Sequence, residues 1–271
     1  MSILCIGAAN FDRKLRLVQA LHPYSSNPAT LRESFGGVAR NVAESLHRAG
    51  LPVQLITVVG DDDAGRRMLA ELPSSGSLTV AGSPSDSYTA VLDGHGELVM
   101  GLASMPLIDR LLPAVLPGQL APLTLIDLNL PTQTIEHLVV QARTQGVRLM
   151  AVAVSEPKMA RLPEDLNGLH ALLLNRGELT QTGGVDALHA RGVEHIAVTL
   201  GAGGVRSSSR GHPTLTLEAP AVQVVEVTGA GDAFAAGVCA ALFQGVDWLD
   251  ACRQGIELAA RALQTEASVP Q

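Results

Sequence analysis

The second half of the chain alternates regularly between short apolar runs and longer segments with the apolar spacing of a helix. Short apolar runs bounded by turn residues predict buried strands, and strands that alternate with helices predict a parallel sheet covered by helices on both faces. We therefore expect a doubly wound, mostly parallel α/β fold in a single domain spanning residues 1–271. The predicted strands are Leu123–Leu128, Val147–Val154, Ala171–Leu174 and His195–Leu200, and the predicted helices are Thr132–Gln145, about Glu156–Ala160 and about Glu178–Ala190.

The first half is less regular and predicts a small sheet beside the main one. Ser2–Ala8 is typical of a buried first strand, and Val53–Val59 of another. Residues 12–34 are polar and irregular, whereas Asp93–Gly96 separates two strand-like runs as a hairpin turn does. We expect residues 12–34 and 87–101 to pair as this small sheet, outside the main core.

The stretch Val224–Gly237 carries the most specific local pattern. Gly229 and Gly231 allow a tight turn into an apolar helix and let a ligand approach the backbone. The first free N–H groups of that helix, together with its dipole, favour an anion at this place. Asp232, in the first turn, is either a general base that takes a proton from an attacking hydroxyl or an N-terminal cap. The local sequence leaves both interpretations open.

A second glycine-rich helix start lies in the first half of the chain. Gly36 and Gly37 precede a segment with helical spacing, and Arg40 and Asn41 follow one turn in. The glycines let a ligand approach the backbone, although a lone pair of glycines before a helix is usually only a turn. The later segment Pro73–Ser87 is rich in Ser, Gly and Pro and predicts a loop.

Polar residues follow several predicted strands, at the edge where ligands meet a parallel sheet. Asn10 and Asp12 come after the first strand, as ligand contacts or as turn residues. Asn175 and Glu178 share one face of a helix start, which suits either a capping box or a hydrated magnesium ion. The remaining strand-end candidates are Asp127, Asn129, and the glycine turn Thr199–Gly204, which lacks the lysine of a phosphate-loop NTPase.

The charge balance excludes some partners. The net charge is −7 and no basic run occurs, so a nucleic acid is not expected to bind. Lys14 and Lys158 are the only lysines, so a phosphate site would rely on backbone N–H groups, arginine or a metal. No apolar run is long enough for a membrane helix, and the start lacks a signal peptide's basic leader.

The cysteines and histidines give no catalytic or metal-binding pattern. Cys5, Cys239 and Cys252 lie in apolar surroundings and are interpreted as buried thiols in a reducing cytoplasm. The eight histidines lack the spacing of a known metal motif, so we expect ordinary surface or packed residues.

Taken together, the motifs resemble those of the ribokinase-like (PfkB) carbohydrate and nucleoside kinases, in order along nearly the whole chain. Within that family the chain is most similar to the pseudouridine kinases, through Ile6–Asn10, Ser26–Pro28 and Gly36–Glu44. The matching family motifs are Gly36-Gly37 with Asn41, Asn175–Glu178, Thr199-Leu200-Gly201 with Gly204, and Thr228-Gly229-Ala230-Gly231-Asp232.

The resemblance implies ATP-dependent phosphorylation of a ribose 5′-hydroxyl. It also implies that the small sheet is a lid over the sugar and that two copies of the chain form a homodimer through this lid. It implies that Asp232 is the base and that Gly229, Ala230 and Gly231 stabilise the transferring phosphoryl group through their N–H groups. Mg²⁺ would lie near Asn175 and Glu178, held through waters, and a monovalent cation is a further candidate. The implied substrate-binding residues are Asn10, Asp12, Gly36, Gly37, Arg40 and Asn41, and the implied nucleotide-binding residues are Asn175, Thr199, Gly201, Gly204 and Thr228.

The chain departs from the pseudouridine kinases mainly on the substrate side. Ala153-Val154 stands where an Asp-Pro pair is expected, Ser104 replaces an acidic or amide residue, and the chain is short between residues 72 and 87. Three other functions stay open: a kinase for another sugar, a non-catalytic ligand-binding relative, and a dinucleotide-dependent oxidoreductase. The last would need a dinucleotide fingerprint after the first strand, which the sequence lacks.

Overall fold

The computed structural model describes residues 2–72 and 77–265. The first four residues of the predicted loop Pro73–Ser87 lie outside the described residues. The strands are β1 Ile3–Ile6, β2 Asn10–Leu17, β3 Ala29–Gly36, β4 Val53–Ile56, β5 Val58–Gly60, β6 Leu78–Val80, β7 Ser87–Leu92, β8 Leu98–Ser104, β9 Leu123–Asp127, β10 Arg148–Val152, β11 Leu169–Asn175, β12 His195–Thr199, β13 Val205–Ser209 and β14 Leu215–Leu217. The α-helices are α1 Val38–Arg48, α2 Asp63–Glu71, α3 Thr132–Gln145, α4 Arg176–Thr180, α5 Val185–Ala190, α6 Ala230–Phe243 and α7 Trp248–Ala262.

The main sheet has eight strands in the order β14-β13-β12-β11-β10-β9-β1-β4. In this sheet, β4, β1, β9, β10, β11 and β12 are parallel to their neighbours in this order, whereas β13 pairs antiparallel with both β12 and β14. The predicted doubly wound, mostly parallel sheet is therefore confirmed.

The strand order reverses at β1, which places a crevice at one edge of the sheet. From β1 the chain goes to β4 on one side, and it later continues from β9 to β12 on the other side. Strand β1 pairs with β9 up to Ile6 and Ile126, and Asp127 ends β9. Ligands bind at such a reversal in doubly wound sheets, so we call the space between the carboxyl ends of β1 and β9 the crevice.

The small sheet consists of four strands in the order β3-β2-β7-β8. Strand β2 is antiparallel to β3 and parallel to β7, and β7 and β8 form the predicted hairpin. Strand β2 begins at Asn10, only four residues after the end of β1 at Ile6. The small sheet therefore starts at the carboxyl edge of the main sheet, beside the crevice.

Both faces of the main sheet are buried, which explains why its strands are continuous apolar runs. In β1, Ile3 and Cys5 pack with residues of α1, α6 and α7, whereas Leu4 and Ile6 pack on the opposite side with residues of α3. Among the described residues, no helix is long and apolar enough to span a membrane.

Helices α6 and α7 approach each other closely. A Cβ atom added to Gly237 would lie 2.7 Å from the Cα atom of Gly255, so only glycine fits at this crossing. Both helices bury most of their apolar residues. The contact fixes α6 against the sheet and thereby positions its N-terminus.

Three predicted elements differ from the observed ones. The helix predicted over Glu178–Ala190 is wrong, because Gly183 and Gly184 adopt φ values of +81° and +98° and separate α4 from α5. The helix predicted near Glu156–Ala160 is a 3₁₀ helix spanning Glu156–Arg161. The strand predicted over Val53–Val59 is divided into β4 and β5.

Candidate active site

The backbone N–H groups at the N-terminus of α6 have no side-chain cap among the described residues, and that of Ala230 donates a long hydrogen bond of 3.4 Å to the Val227 carbonyl oxygen. The helix starts at Ala230, after Gly229 in the left-handed region with φ +86°, and none of the described side chains caps it. At the start of α1, by contrast, the N–H of Ala39 is bound to Asp127 Oδ2 at 3.0 Å. A Cβ atom added to Gly231 would meet no atom within 4 Å, so the surroundings of Gly231 in the first turn of α6 are open. Uncapped N–H groups that face open space can bind an anion.

Asp232 lies in the first turn of α6, and Asn41 of α1 holds its carboxylate. Asn41 Nδ2 donates a hydrogen bond of 2.7 Å to Asp232 Oδ2. The pKa of Asp232 is raised to about 7, chiefly by burial; the Asn41 hydrogen bond opposes this rise, and the nearby charges of Asp127 and Asp12 add to it. A carboxylate with a pKa near neutrality is well suited to accept a proton from a hydroxyl group.

Asp127 connects the end of β1 to the start of α1 at the crevice. Its Oδ2 accepts hydrogen bonds from Ala8 N at 2.9 Å and Ala39 N at 3.0 Å, and its Oδ1 accepts one from Asn129 N at 2.9 Å. The side chain is fully buried, and burial raises its pKa. Because Gly7 leaves room for this carboxylate, Asp127 can connect the end of β1 to the start of α1.

Asp12 lies over Gly36 at the base of the small sheet. Asn10 Nδ2 donates a hydrogen bond to Asp12 Oδ1, and a Cβ atom added to Gly36 would lie 2.1 Å from Asp12 Oδ2. Gly37 is equally constrained, because its φ is +100° and a Cβ atom would lie 2.3 Å from the Ala8 carbonyl oxygen. Burial raises the pKa of Asp12 to about 6, although the Asn10 hydrogen bond opposes the shift.

Asn175 and Glu178 form a complete capping box at the start of α4. Asn175 Oδ1 accepts from Glu178 N at 2.9 Å, and Glu178 Oε2 accepts from Asn175 N at 2.7 Å. A third residue, Glu156, lies beside them, because a Cβ atom on Gly177 would be 2.3 Å from Glu156 Oε1. Burial raises the pKa of Glu178, and the charge of Glu156 raises it further. The two neighbouring carboxylates are oxygen donors of the kind that a hydrated Mg²⁺ ion prefers.

The glycine turn after β12 adjoins this capping box. Thr199 pairs with Asn175 across the parallel strands β12 and β11. Gly201 and Gly204 bound a 3₁₀ turn with φ values of +61° and +80°, and a Cβ atom on Gly204 would lie only 1.9 Å from the Leu217 carbonyl oxygen. The turn at the carboxyl end of β12 therefore depends on glycine.

Thr228, in front of α6, is connected to the small sheet through Glu226. Thr228 Oγ1 donates to Glu226 Oε1 at 2.5 Å, and the same oxygen lies 3.3 Å from Nζ of Lys14 on β2. Both ionic side chains of this pair are about one quarter exposed. The chain of contacts links the loop that leads into α6 to the small sheet.

Arg40 has a different environment from the other predicted substrate-binding residues. Its guanidinium group contacts Glu44 Oε2 at 2.7 Å and Glu71 Oε2 at 2.8 Å, and it lies over the ring of Phe35. The residue is only 3% exposed. These contacts hold α1 against α2, and Arg40 Nη1 also donates a hydrogen bond of 3.3 Å to Oδ1 of Asn41, the residue that contacts Asp232.

The predicted residues fall into two groups along the carboxyl edge. One group, with Asn175 and Thr199, lies at the ends of β11 and β12. The other group lies at the crevice beside β9 and β1. Asp232 and Asn41 contact each other although they are 191 positions apart. Neither Glu156 nor the Lys14–Glu226 pair was predicted to have a role. Glu156 follows the predicted strand Val147–Val154 by two positions, and this place at the carboxyl end of a strand is the signal that could have indicated it.

Comparison with known proteins identifies the family. The model of the pfkB family of carbohydrate kinases matches residues 1–270. The chain belongs to this family. It is a phosphotransferase with the ribokinase-like fold, as the resemblance in sequence implied.

Individual relatives of this pfkB-family kinase cover nearly its whole length. It is 29% identical to an uncharacterised sugar kinase of Escherichia coli (strain K12), over 94% of this chain and 76% of that protein. It is 26% identical to the pseudouridine kinase of the same organism, over 97% and 91% of the two chains. Among solved structures, a carbohydrate kinase from Agrobacterium tumefaciens matches with a TM-score of 0.87 and 32% identity, covering 99% and 93%. Arabidopsis thaliana ribokinase complexed with ribose and ATP shares the fold, with a TM-score of 0.81 and 19% identity over 100% and 96%.

Proposed function

We propose that this pfkB-family kinase transfers the γ-phosphoryl group of ATP to the 5′-hydroxyl of a ribose, in pseudouridine or a related nucleoside. The observation that carries the proposal is the uncapped N-terminus of α6 with Asp232 in its first turn, hydrogen-bonded to Asn41. The helix terminus supplies an anion site, and the carboxylate supplies a base beside it. ATP use is supported by the fold neighbour that was solved with ribose and ATP.

In the proposed reaction Asp232 takes the proton of the 5′-hydroxyl while the new O5′–P bond forms. The bond between the γ-phosphorus and the β–γ bridging oxygen breaks, which yields ADP and the nucleoside 5′-phosphate. The N–H groups of Gly229, Ala230 and Gly231 stabilise the charge on the transferring group. Asn41 orients the Asp232 carboxylate, and Asn10 and Asp12 bind the ribose hydroxyls with the backbone at Gly36 and Gly37.

The nucleotide is assigned to the second group of residues at the carboxyl edge. Thr199, Gly201 and Gly204 line its site at the end of β12, and Thr228 contacts it from the loop before α6. Glu178 and Glu156, with Asn175, would hold Mg²⁺ through waters, because the capping box leaves little of Asn175 and Glu178 for direct ligation. When bound, Mg²⁺ neutralises charge on the phosphate oxygens.

The substrate class is tested by ADP release with ATP and Mg²⁺ across pseudouridine, uridine, adenosine, ribose and fructose 6-phosphate, with and without K⁺. Pseudouridine is expected to give the highest kcat/KM. Faster turnover of a free sugar would replace the nucleoside by a sugar, the alternative favoured by the relative described as a sugar kinase. Nucleoside binding without turnover of any substrate would contradict the kinase reaction itself.

We also infer that the small sheet closes over the sugar and joins a second copy of the chain. Its edge strands carry apolar side chains that are half exposed or more, including Leu31 on β3 and Leu98 and Leu102 on β8. Excluding water from the crevice would limit wasteful hydrolysis of ATP. Sedimentation equilibrium is expected to show a dimer that Leu102→Lys weakens, and a monomer at all concentrations would contradict this inference.

The three free, buried cysteines fit a cytoplasmic enzyme.

A further inference from the structure

Two histidines and a glutamate meet at the end of the main sheet opposite the candidate active site. His170 lies near the start of β11, Glu194 directly precedes β12, and His195 begins β12. One possible ligand atom from each of the three side chains lies within 4.8 Å of those of the other two. His170 Nδ1 is 2.8 Å from Glu194 Oε2, and His195 Nε2 is 3.7 Å from Glu194 Oε1.

We propose that His170, Glu194 and His195 form a binding site for a divalent transition metal ion of the Zn²⁺ class. Two imidazole nitrogens and one carboxylate oxygen are a donor set that Zn²⁺ uses, with a fourth position open to water. Zinc bonds of about 2.0–2.1 Å in a tetrahedral site separate the ligand atoms by about 3.3 Å. The separations of 2.8 and 3.7 Å run to the two different oxygens of the Glu194 carboxylate, and the chosen donor atoms of the three residues lie within 4.8 Å of one another, so side-chain rotations would bring them to the distances of a zinc site.

An irregularity in strand pairing puts His170 in this position. Strand β10 pairs Leu149 with Leu169 and its next residue, Met150, with Ala171, so His170 is an extra residue in β11. Bulges are rare between parallel strands, and they redirect a side chain relative to the regular alternation. The bulge thus brings His170 beside His195, and the two rings meet edge to face with their centroids 4.9 Å apart.

His195 is held as a metal ligand usually is. Its Nδ1 lies 2.8 Å from Ser209 Oγ on the neighbouring strand β13, and Nδ1 as the donor leaves the lone pair of Nε2 directed towards Glu194. Such an outer hydrogen bond fixes the tautomer and the orientation of a metal-binding imidazole.

The site lies far from the candidate active site along the same two strands. Thr199 is four positions after His195 in β12, and Asn175 is five positions after His170 in β11, which is roughly 13–17 Å of extended chain. A metal ion here would hold β11 against β12 at their amino ends. Its expected effect is on the stability of the fold, and it is distinct from the Mg²⁺ that accompanies the nucleotide.

Trp248 provides a direct reporter of the site. It is the only tryptophan of the chain, and its indole ring stacks on His195 with the centroids 4.9 Å apart and an interplanar angle of 20°. The test uses tag-free, full-length protein that has been treated with EDTA and desalted. Zn²⁺, Ni²⁺ and Mg²⁺ are added separately, and tryptophan emission and Tm are measured.

We expect Zn²⁺ to change the emission with a 1:1 stoichiometry and to raise Tm by about 5 °C at a hundredfold excess over Kd. Mg²⁺ should produce neither effect, because it prefers oxygen ligands in octahedral geometry. His170→Gln and Glu194→Gln should each weaken Zn²⁺ binding by at least about tenfold, and Ser209→Ala by about tenfold, since outer partners alone change metal affinity by 10–100-fold.

His137→Gln is the matched control, because His137 is an exposed histidine on α3 outside the site. Far-UV circular dichroism confirms that each variant is folded. If Zn²⁺ changes neither the emission nor the Tm of the wild type, the proposal is overturned, and the contacts of Glu194 with the two histidines are ordinary surface interactions. A Zn²⁺ response that persists equally in His170→Gln and Glu194→Gln, or that is lost in His137→Gln, would overturn it as well.

Discussion

Protonation of Asp232 is expected to control the pH dependence of the kinase. Its folded-state pKa of about 7 means that the carboxylate is largely protonated at pH 6 and cannot then act as a base. We expect kcat/KM to rise with pH through a midpoint near 7, with a smaller contribution from Asp12, whose pKa is about 6. The check is kcat/KM from pH 5.5 to 8.5 at constant ionic strength, and a flat profile would contradict the role of Asp232.

Gly231 allows the anion site to be tested without disturbing the fold. It has open space around its Cα atom and a φ outside the left-handed region, so Gly231→Ala should leave the Tm unchanged or slightly higher. The added methyl group would occupy the space assigned to the phosphoryl group, and we expect kcat to fall by at least about a hundredfold.

Gly118→Ala is the control for this substitution. Gly118 also has open space and a φ outside the left-handed region, but it lies before β9, at the opposite end of the sheet. Near-normal kcat in Gly231→Ala, or an equal loss in Gly118→Ala, would contradict an anion site at α6.

At the scale of elements, Asp127 is predicted to hold the crevice together. In Asp127→Asn, the amide group can present only one oxygen, whereas three N–H groups now point at the two carboxylate oxygens. At least one buried donor loses its acceptor, at a cost of about 1–3 kcal/mol in the free energy of unfolding. Urea unfolding measures the loss, with Asp186→Asn as an exposed control that should change by less than about 0.5 kcal/mol. Equal stabilities of the two variants would refute the joining role of Asp127.

The contact between the small sheet and the loop before α6 is expected to affect catalysis more than stability. Lys14→Met removes the partner of Glu226, which also binds Thr228. We expect kcat/KM to fall by about fivefold, equivalent to about 1 kcal/mol, while the Tm changes little because the ion pair is partly exposed. Arg13→Met on the same strand is the control, because Arg13 pairs with Glu33 within the small sheet. Equal kinetic effects in both variants would show that the link to the loop has no role.

For the whole molecule, the sequence predicts those features that depend on local spacing. The alternation of apolar runs with helical segments predicted the parallel sheet, and the residues Gly229–Asp232 predicted a glycine turn into α6. The split at Gly183-Gly184 was missed because the helical spacing continues across two glycines that tertiary structure holds in the left-handed region.

Contacts between distant segments were less accessible to sequence reasoning. The environment of Arg40 depends on Glu71, which is 31 positions away and on another helix. The cluster of His170 and His195 depends on strand pairing and on a bulge that no spacing rule indicates. The family motifs indicated most of the candidate site residues, but they could not indicate that Glu156 would lie beside Gly177.

The most direct test of the account is the turnover of Asp232→Asn with ATP, Mg²⁺ and the best substrate of the panel. We expect kcat to fall by about 10²–10⁴-fold, the usual contribution of a general base, while nucleotide binding is retained. Because the pKa of Asp232 is raised in the folded state, its charge destabilises the fold above pH 7, and this effect fades as the pH falls towards its ordinary value of 3.8. The variant should therefore be at least as stable as the wild type at pH 8, so lost turnover would not reflect unfolding. A kcat within tenfold of the wild type would contradict Asp232 as the base.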